Sequence, residues 1–238
     1  MKLDTTQISL RRRIIEMSYQ EGVTHLGSAL SSVDIIDSIY QIKRPSDRFV
    51  LSNGHAAAAL YAVLESRGFI KKAKISDLGV HPEKNEKIGV SVSTGSLGQG
   101  LPIAVGMAIG SPKRLVYCCS SDGECAEGSM WEALHLMVNR TTTNLRLIIN
   151  ANGYSGYGTV DLRRLVLMIA ATGLEVKEVD GHSISSLKME LTQNIKKPRV
   201  IVAHTSVDQL PFLSGLSAHY YKMSDKDFQT ALKIWSKN

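Results

Sequence analysis

Short apolar segments alternate with helical segments along most of the chain, and this alternation limits the fold more than any other feature. Five runs have the length and composition of buried strands: residues 48–51, 115–119, 145–149, 175–179 and 199–203. Apolar strands that are separated by helices are typical of a mostly parallel sheet with helices on both faces. The sequence therefore predicts an α/β fold of this architecture.

Helical segments with recognisable ends lie between these strands. Gly68 supplies a stop signal for one of them, and Ser31 and Ser32 are suited to cap the second helix. The predicted helices are residues 7–21, 33–40, 56–67, 129–140, 162–172, 184–195 and 225–235, together with an apolar helix that continues through Met107.

The composition indicates one globular domain over residues 1–238. Hydrophobic residues make up 43 % of the chain and charged residues 21 %, which excludes extensive disorder. Three cysteines cannot form a disulfide scaffold, and no apolar run reaches the roughly 20 residues of a membrane helix. The first residues have no apolar stretch typical of a secretory signal. We therefore expect a cytoplasmic protein with no membrane partner.

The net charge of +6 raises the question of a nucleic-acid partner. The basic clusters are short, at residues 11–13, 71–72 and 196–197, and no aromatic residues are interleaved with them. Clusters of this kind indicate solvated faces. The sequence therefore predicts no nucleic-acid binding, whereas an anionic small-molecule substrate is compatible with the charge.

Polar residues follow the predicted strands where ligands of parallel sheets bind, at residues 52–55, 120–124, 150–155 and 204–207. Asp122 and Asn152 are thirty residues apart, which is the length of one strand–helix–strand unit. Their side chains should therefore face the same crevice, and their oxygens suit Mg²⁺. The alternative interpretation, two ordinary Asp-Gly and Asn-Gly turns, explains each half but not both together.

Two further segments contain glycines close to these strand ends. Residues 52–55 read Ser-Asn-Gly-His before a helix, where phosphate is favoured; a simple capping turn is the alternative. Residues 94–102 read TGSLGQGLP, and three glycines in six residues permit close approach to a ligand. The spacing is not that of a dinucleotide fingerprint or a Walker loop, and close helix packing is the alternative explanation.

Taken together, these segments resemble the N-terminal, diphosphate-binding domain of transketolase, a thiamine-diphosphate enzyme. The resemblance extends over nearly the whole chain and the motifs follow in family order. They are HLGSALS from His25, DRFVLSNGHAAAALY from Asp47, HPE from His81, TGSLGQGL from Thr94 and SDGECAEGSMWEA from Ser121. The resemblance implies the thiamin-diphosphate-binding fold and the cofactors thiamine diphosphate and Mg²⁺ (or Ca²⁺).

The resemblance also implies a role for each matching residue. Asp122 and Asn152 would bind the metal through their side chains, and Tyr154 through its backbone carbonyl. Contacts to the cofactor would come from His55, Gly123, His219, Gly95, Leu97 and Asn152. His25, His81 and His219 would act on the substrate in catalysis, and Glu127 would lie at a subunit interface.

Full-length transketolases carry a pyrimidine-binding domain and a C-terminal domain that this sequence does not contain. The resemblance therefore implies one half of a split transketolase, which transfers a two-carbon ketol unit from a ketose to an aldehyde and is inactive without its partner subunit. We expect a separate C-terminal subunit, self-association in a two-plus-two heterotetramer, and a sugar substrate in carbohydrate metabolism.

Two alternatives remain open. Residues 206–211 read SVDQLP where the family has a Gly-Lys-Gly loop, which favours an unusual substrate such as a nucleotide-linked sugar. The missing domains favour a non-catalytic remnant that binds cofactor or partner.

Overall fold

A computed structural model describes residues 3–236 and confirms the predicted α/β architecture. Five strands form one sheet in the order β1-β2-β3-β7-β6, and all four neighbouring pairs are parallel. The strands are β1 (Arg48–Leu51), β2 (Val116–Ser121), β3 (Leu145–Ala151), β6 (Glu175–Asp180) and β7 (Arg199–His204), and a small antiparallel hairpin pairs β4 (Tyr154–Ser155) with β5 (Gly158–Thr159).

Helices connect the strands of the sheet. They are α1 (Thr5–Glu21), α2 (Leu26–Ile42), α3 (Ala57–Ser66), α4 (Ile75–Leu78), α5 (Gly100–Gly110), α6 (Gly128–Asn139), α7 (Leu162–Ala171), α8 (Ile184–Thr192) and α9 (Asp225–Ile234). Short 3₁₀ turns cover Gly54–Ala56, Glu86–Ile88, Gly123–Ala126 and Gly215–His219. Within the described residues, no helix is long and apolar enough to cross a membrane.

The sheet separates two hydrophobic cores, so helices cover both of its faces. On one side α1, α2, α3 and α8 pack against strand residues such as Cys119 and Ile148. On the other side α5, α6 and α7 pack against Cys118 and Leu147. Adjacent strand residues point to opposite faces, which is why Cys118 and Cys119 belong to different cores.

The predicted start of the second helix was wrong. Helix α2 begins at Leu26, so Ser31 and Ser32 lie inside it and are fully buried. The Ser31 hydroxyl donates to the Ser28 carbonyl (3.1 Å), which is how a serine is accommodated within a helix. The amide of Asn150 donates to both serine hydroxyls at 2.9 Å. These serines therefore join α2 to the sheet rather than cap the helix.

The interpretation of residues 11–13 as a solvated face was also wrong. Arg11 is fully buried, and its guanidinium forms two hydrogen bonds with the Asp34 carboxylate at 2.9 and 2.6 Å. Arg12 donates to carbonyls at the end of α9, and Arg13 pairs with Glu65 at 2.9 Å. All three arginines make contacts within the protein, because α1 packs between α2, α3 and α9.

The strand register determines where the site forms. Leu51 pairs with Cys119, and Ser121 pairs with Asn150. The segments that follow β1, β2 and β3 therefore leave the sheet side by side at its carboxyl edge, as expected for a parallel sheet.

Candidate functional site

A cavity of about 340 Å³ lies at this carboxyl edge and contains most of the predicted site. Nine predicted residues line it: His25, His55, His81, Gly95, Leu97, Gly123, Asn152, Tyr154 and His219. Residues from seven separate segments of the chain thus meet in one place. The other lining residues carried no individual role in the prediction, although several lie in the predicted ligand-binding segments: Ser28, Asn53, Ser121, Asn150, Ser155, Gly156, Tyr157 and Tyr220.

Asp122 lies at the edge of this cavity rather than on its wall. Its side chain is buried, and its carboxylate accepts hydrogen bonds from the N–H groups of Gly123 (2.9 Å) and Gly153 (2.6 Å). Burial raises the pKa of the Asp122 carboxyl to about 7, against the opposing effect of these N–H groups. A cation beside this carboxylate would favour its charged form.

The predicted metal ligands are close together in the structure. The Asp122 carboxylate accepts a hydrogen bond from the N–H of Gly153, the residue after Asn152. The side-chain oxygen of Asn152 in turn accepts a hydrogen bond from the Tyr154 N–H (2.9 Å). The Tyr154 carbonyl oxygen is 3.8 Å from the point that a Cβ on Gly123 would occupy. One carboxylate, one amide and one carbonyl form a hard oxygen donor set that fits Mg²⁺ or Ca²⁺. Residues 3–236 contain no cluster of three or more His, Cys, Asp or Glu side chains that suits a metal.

Three histidines form a compact group in the cavity. The His25 ring centroid is 4.6 Å from that of His219 and 5.3 Å from that of His55, and the latter two are 5.4 Å apart. Burial, reinforced by repulsion from the neighbouring histidines, lowers the pKa of His25 to about 4 and that of His55 to about 3. Burial also lowers the pKa of His219. His25 and His55 are therefore neutral near pH 7.

His25 is held in an unusual conformation at the start of α2. Its φ of +64° lies in the left-handed region, which few residues other than glycine adopt. Its N–H donates to the His219 carbonyl (2.9 Å), and its buried Nδ1 has no hydrogen-bond partner in the described structure. An uncommon backbone conformation beside an unpartnered polar atom is typical of a functional position.

The glycine-rich segment, residues 94–102, contributes both to the cavity and to close packing, the two interpretations that the sequence left open. A Cβ on Gly95 would lie 3.0 Å from the His81 ring, so this glycine brings the backbone against a cavity histidine. A Cβ on Gly98 would lie 2.7 Å from the Glu127 Cβ, and one on Gly100 would lie 2.5 Å from the Ser52 Cα. Gly95 therefore shapes the cavity, whereas Gly98 and Gly100 permit close packing.

Glu124 is the most consequential residue that sequence reasoning missed. It is fully buried, and one oxygen accepts from the Ser52 hydroxyl (2.7 Å) and the Gly98 N–H (3.0 Å). The other oxygen accepts from the Ser120 hydroxyl (2.8 Å) and the Ser121 N–H (3.0 Å). This carboxylate therefore joins the end of β1, the end of β2 and the glycine-rich segment. Its position two residues after Asp122 was the available signal, but a loop sequence does not reveal that a glutamate points inward.

Asn53 was also missed, although it is part of the motif before α3. Its side chain is fully buried and lines the cavity, and its amide donates to Ser32 at 3.0 Å. Its side-chain oxygen has no partner among the described residues. A buried acceptor of this kind calls for a donor from a bound ligand or water.

Residues 206–211 do not line the cavity, which removes the reason for expecting them to alter the substrate. Gln209 accepts a hydrogen bond from Arg11 (2.8 Å) and donates to the Leu30 carbonyl (3.0 Å). The Ser206 N–H donates to the ring of His182, whose other nitrogen is 2.8 Å from Asp34. The segment is therefore attached to a buried network between α1 and α2.

Glu127 and His204 lie outside the cavity. Glu127 precedes α6 and packs against Gly98, so it is next to the glycine-rich segment. His204 ends β7 and pairs with Glu178 (2.7 Å) on the exposed surface. The interface role of Glu127 stays a prediction.

Comparisons with known proteins agree with this geometry. Residues 15–209 match the family described as transketolase, thiamine diphosphate binding domain. The chain is 31 % identical to an apulose-4-phosphate transketolase subunit of Actinobacillus succinogenes, over 95 % of this chain and 92 % of that one. It is 34 % identical to human transketolase, over 85 % of this chain but 37 % of that one.

The solved structure of Campylobacter jejuni transketolase superimposes with a TM-score of 0.83 at 26 % identity, covering all of this chain and 44 % of that one. The chain thus spans less than half of this full-length enzyme. The predicted resemblance and fold class are confirmed, and the chain belongs to the thiamine diphosphate-binding domain family of the transketolases.

Proposed function

We propose that this chain is the diphosphate-binding component of a two-component transketolase. It would transfer a two-carbon ketol unit from a ketose to an aldehyde together with a separate subunit that carries the pyrimidine-binding domain. The observation that carries this proposal is the convergence of the nine predicted residues on one cavity. Two relatives support it further. Each is named as a subunit of a transketolase, and each matches this chain over about nine-tenths of its own length.

The residues of this chain divide into a metal group and a cofactor group. Asp122, Asn152 and the Tyr154 carbonyl would hold Mg²⁺ or Ca²⁺, which would anchor a diphosphate next to Gly123. His55 and His219 would donate to the diphosphate, and Gly95 and Leu97 would lie against the cofactor rings. Thiamine diphosphate, when bound, supplies a stabilised carbanion for breaking and forming the carbon–carbon bond.

His25 and His81 would position the substrate and exchange protons with its hydroxyl groups. The low pKa of His25 leaves its ring neutral at physiological pH, so one ring nitrogen would accept a hydrogen bond and the other would donate one. The Nδ1 of His25, which has no partner among the described residues, would form one of these hydrogen bonds. Both rings line the cavity, so they would contact the same substrate.

The assembly and location follow from the same proposal. The partner chain would complete the cofactor site, and two copies of each component would associate, with Glu127 near the contact. Because Cys118, Cys119 and Cys125 are all free, the reducing cytoplasm is the compartment we propose. Residues 1–238 would then act as one domain.

Cofactor binding by the purified complex tests the proposal. The tagged chain is isolated with its partner, and thiamine diphosphate is titrated with and without Mg²⁺ while protein fluorescence is recorded. We expect Mg²⁺-dependent binding that Asp122→Asn abolishes and that Asp77→Asn, a matched change at an exposed aspartate of α4, leaves intact. Binding followed by ketol transfer supports the proposal. Absence of binding in the presence of the partner would favour the non-catalytic remnant.

A further inference from the structure

His182 is a largely buried histidine outside the cavity, and both of its ring nitrogens are hydrogen-bonded. It lies between β6 and α8, and its side chain is 9 % exposed. The Nδ1 atom is 2.8 Å from the Asp34 carboxylate on α2, and the Nε2 atom is 3.0 Å from the backbone nitrogen of Ser206, two residues after β7. One ring therefore joins three separate parts of the chain.

These partners determine which ring nitrogen carries the proton. Burial alone would raise the pKa of the Asp34 carboxyl, but hydrogen bonds from Arg11 and His182 hold this pKa below its ordinary value. The charged carboxylate can only accept, so Nδ1 donates to it, and a backbone N–H can only donate, so Nε2 accepts from Ser206. The Arg11 guanidinium is 3.4 Å from Nδ1 and forms its shorter hydrogen bonds with Asp34. The ring is therefore neutral, with its proton on Nδ1.

The backbone of His182 is fixed as well. Its N–H donates to the Asp180 carboxylate (2.9 Å), and its carbonyl accepts from the side-chain amide of Gln7 (3.0 Å). The preceding Gly181 N–H donates to the His204 carbonyl at the end of β7 (2.8 Å). A ring that is held on all sides presents its acceptor nitrogen in one defined place.

A series of hydrogen bonds continues from Ser206 towards the cavity. The Ser206 hydroxyl accepts from the Asp208 N–H (3.1 Å), and the Asp208 carboxylate accepts from the Gly215 N–H (2.8 Å). Gly215 begins the 3₁₀ turn that ends at His219, which lines the cavity. Residues 206–219, which we call the His219 connection, therefore run from the His182 ring to the cavity.

Apolar packing alone does not fix this connection. Val207, Leu210 and Leu213 are buried in the core on the α1 and α2 side of the sheet. Burial of such side chains is favourable but has no preferred direction. The directional contact at the start of the connection is the hydrogen bond from Ser206 to His182, so this bond sets the orientation in which the chain leaves the sheet.

We propose that His182 is a positioning residue, whose neutral ring fixes the N–H of Ser206 and thereby sets where the His219 connection places the His219 ring. The inference deepens the proposed function and rests on it for the contact between His219 and the diphosphate. His182 does not line the cavity, so it acts through the connection and touches no ligand.

Asparagine and glutamine at position 182 separate the two hydrogen bonds of the ring. The asparagine amide occupies about the place of Nδ1, so His182→Asn can donate to Asp34 but does not reach Ser206. The glutamine amide extends to about the place of Nε2, so His182→Gln keeps an acceptor for Ser206 and leaves Asp34 to Arg11. His135→Asn makes the same change at an exposed histidine of α6 and serves as the control.

Hydrogen exchange of the full chain, followed by mass spectrometry, measures how firmly the connection is held. We expect His182→Asn to speed amide exchange in residues 206–219 about fivefold, which is the factor that one net hydrogen bond supplies. His182→Gln should stay within about twofold of the unsubstituted chain. Nitrogen NMR of the histidine rings should show that Nδ1 of His182 is protonated and Nε2 is not. The opposite tautomer would overturn the inference.

The effect on the cavity is measured in the complex with the partner chain and Mg²⁺, with thiamine diphosphate as the ligand. His182→Asn should raise its Kd about threefold, whereas His182→Gln and His135→Asn should leave it unchanged. Asp208→Ala removes the next hydrogen bond of the series at an exposed residue, where the core is not disturbed. It should raise the Kd to the same extent.

The outcomes separate this inference from the proposed function. If the unsubstituted complex shows no Mg²⁺-dependent binding of thiamine diphosphate, the proposed function is overturned, while the exchange rates still decide whether His182 fixes the connection. Equal exchange in His182→Asn and His182→Gln would overturn the inference. Faster exchange with an unchanged Kd in both His182→Asn and Asp208→Ala would overturn it as well, because the place of His219 would then not depend on the connection.

Discussion

Replacing Glu124 with glutamine tests how a buried carboxylate organises the site. Glutamine keeps the size of the side chain but replaces one acceptor oxygen with an NH₂ donor. In one orientation this NH₂ faces the Ser52 hydroxyl and the Gly98 N–H; in the other it faces the Ser120 hydroxyl and the Ser121 N–H. A hydroxyl can rotate to accept, whereas a backbone N–H cannot. Either orientation therefore leaves one buried backbone N–H, of Gly98 or Ser121, facing the NH₂ of the glutamine without an acceptor.

The expected loss of stability follows from this single N–H without an acceptor. A buried donor without an acceptor costs about 1–3 kcal/mol, and loss of the charge weakens the remaining hydrogen bonds by about 1 kcal/mol. Relief from burying a charge offsets part of this, so we expect Glu124→Gln to lower the free energy of unfolding by about 2–3 kcal/mol.

Urea denaturation followed by circular dichroism measures this difference. Glu132→Gln is the matched control, because Glu132 is exposed on the neighbouring helix α6 and should change the free energy by less than about 0.5 kcal/mol. The reasoning is refuted if the two variants are equally stable, because these hydrogen bonds to Glu124 would then make no net contribution to stability.

Three further predictions concern stability. Arg11→Met leaves the buried Asp34 carboxylate with His182 as its remaining partner and should cost about 3 kcal/mol in urea denaturation; a cost below about 1 kcal/mol would contradict a buried pair. The lowered pKa values of His25 and His55 mean that only the unfolded chain takes up their protons as pH falls below about 6.5. These two rings should therefore lower the stability between pH 6 and pH 5 by at most about 1.4 kcal/mol each, whereas Asp122, whose pKa is raised, contributes in the opposite direction. Replacing both rings with asparagine should remove their loss, so the stability difference between the variant and the parent should change over this pH range. Gly100→Ala should lower the melting temperature, because the new Cβ would approach Ser52 within 2.5 Å. Gly106→Ala on the same helix has open space, so the free energy of unfolding should rise by about 1 kcal/mol. Equal effects of the two substitutions would exclude the close approach at Gly100.

The sheet and the place of the site could be predicted because both depend on local patterns. Strands β2 and β3 are mostly apolar and buried along their whole length, and parallel strands bring the residues after them to one edge. That rule alone placed Asp122 and Asn152 together, and the family motifs supplied the histidines from outside these loops. The cavity contains all the predicted residues except Asp122, which borders it, and Glu127.

The errors have a common physical cause, since they concern residues whose partners are distant in sequence. Arg11 is buried because Asp34 and Gln209 meet it, at separations of 23 and 198 residues. Ser31 is buried because Asn150 donates to it from the sheet. No local pattern distinguishes such a polar residue from one that faces water, and the inward direction of Glu124 was hidden for the same reason.

Helix α2 is buried along every residue from Leu26 to Tyr40, so it has no side that faces water. A helix enclosed in this way has no freedom to roll or slide without disrupting the packing around it. His25 immediately precedes this helix and is therefore held in place relative to the sheet. We expect any adjustment to a partner chain to come instead from exposed parts of the cavity wall, such as Tyr157 of the hairpin, which is 68 % exposed. The protein therefore holds this cavity-lining histidine in a fixed position.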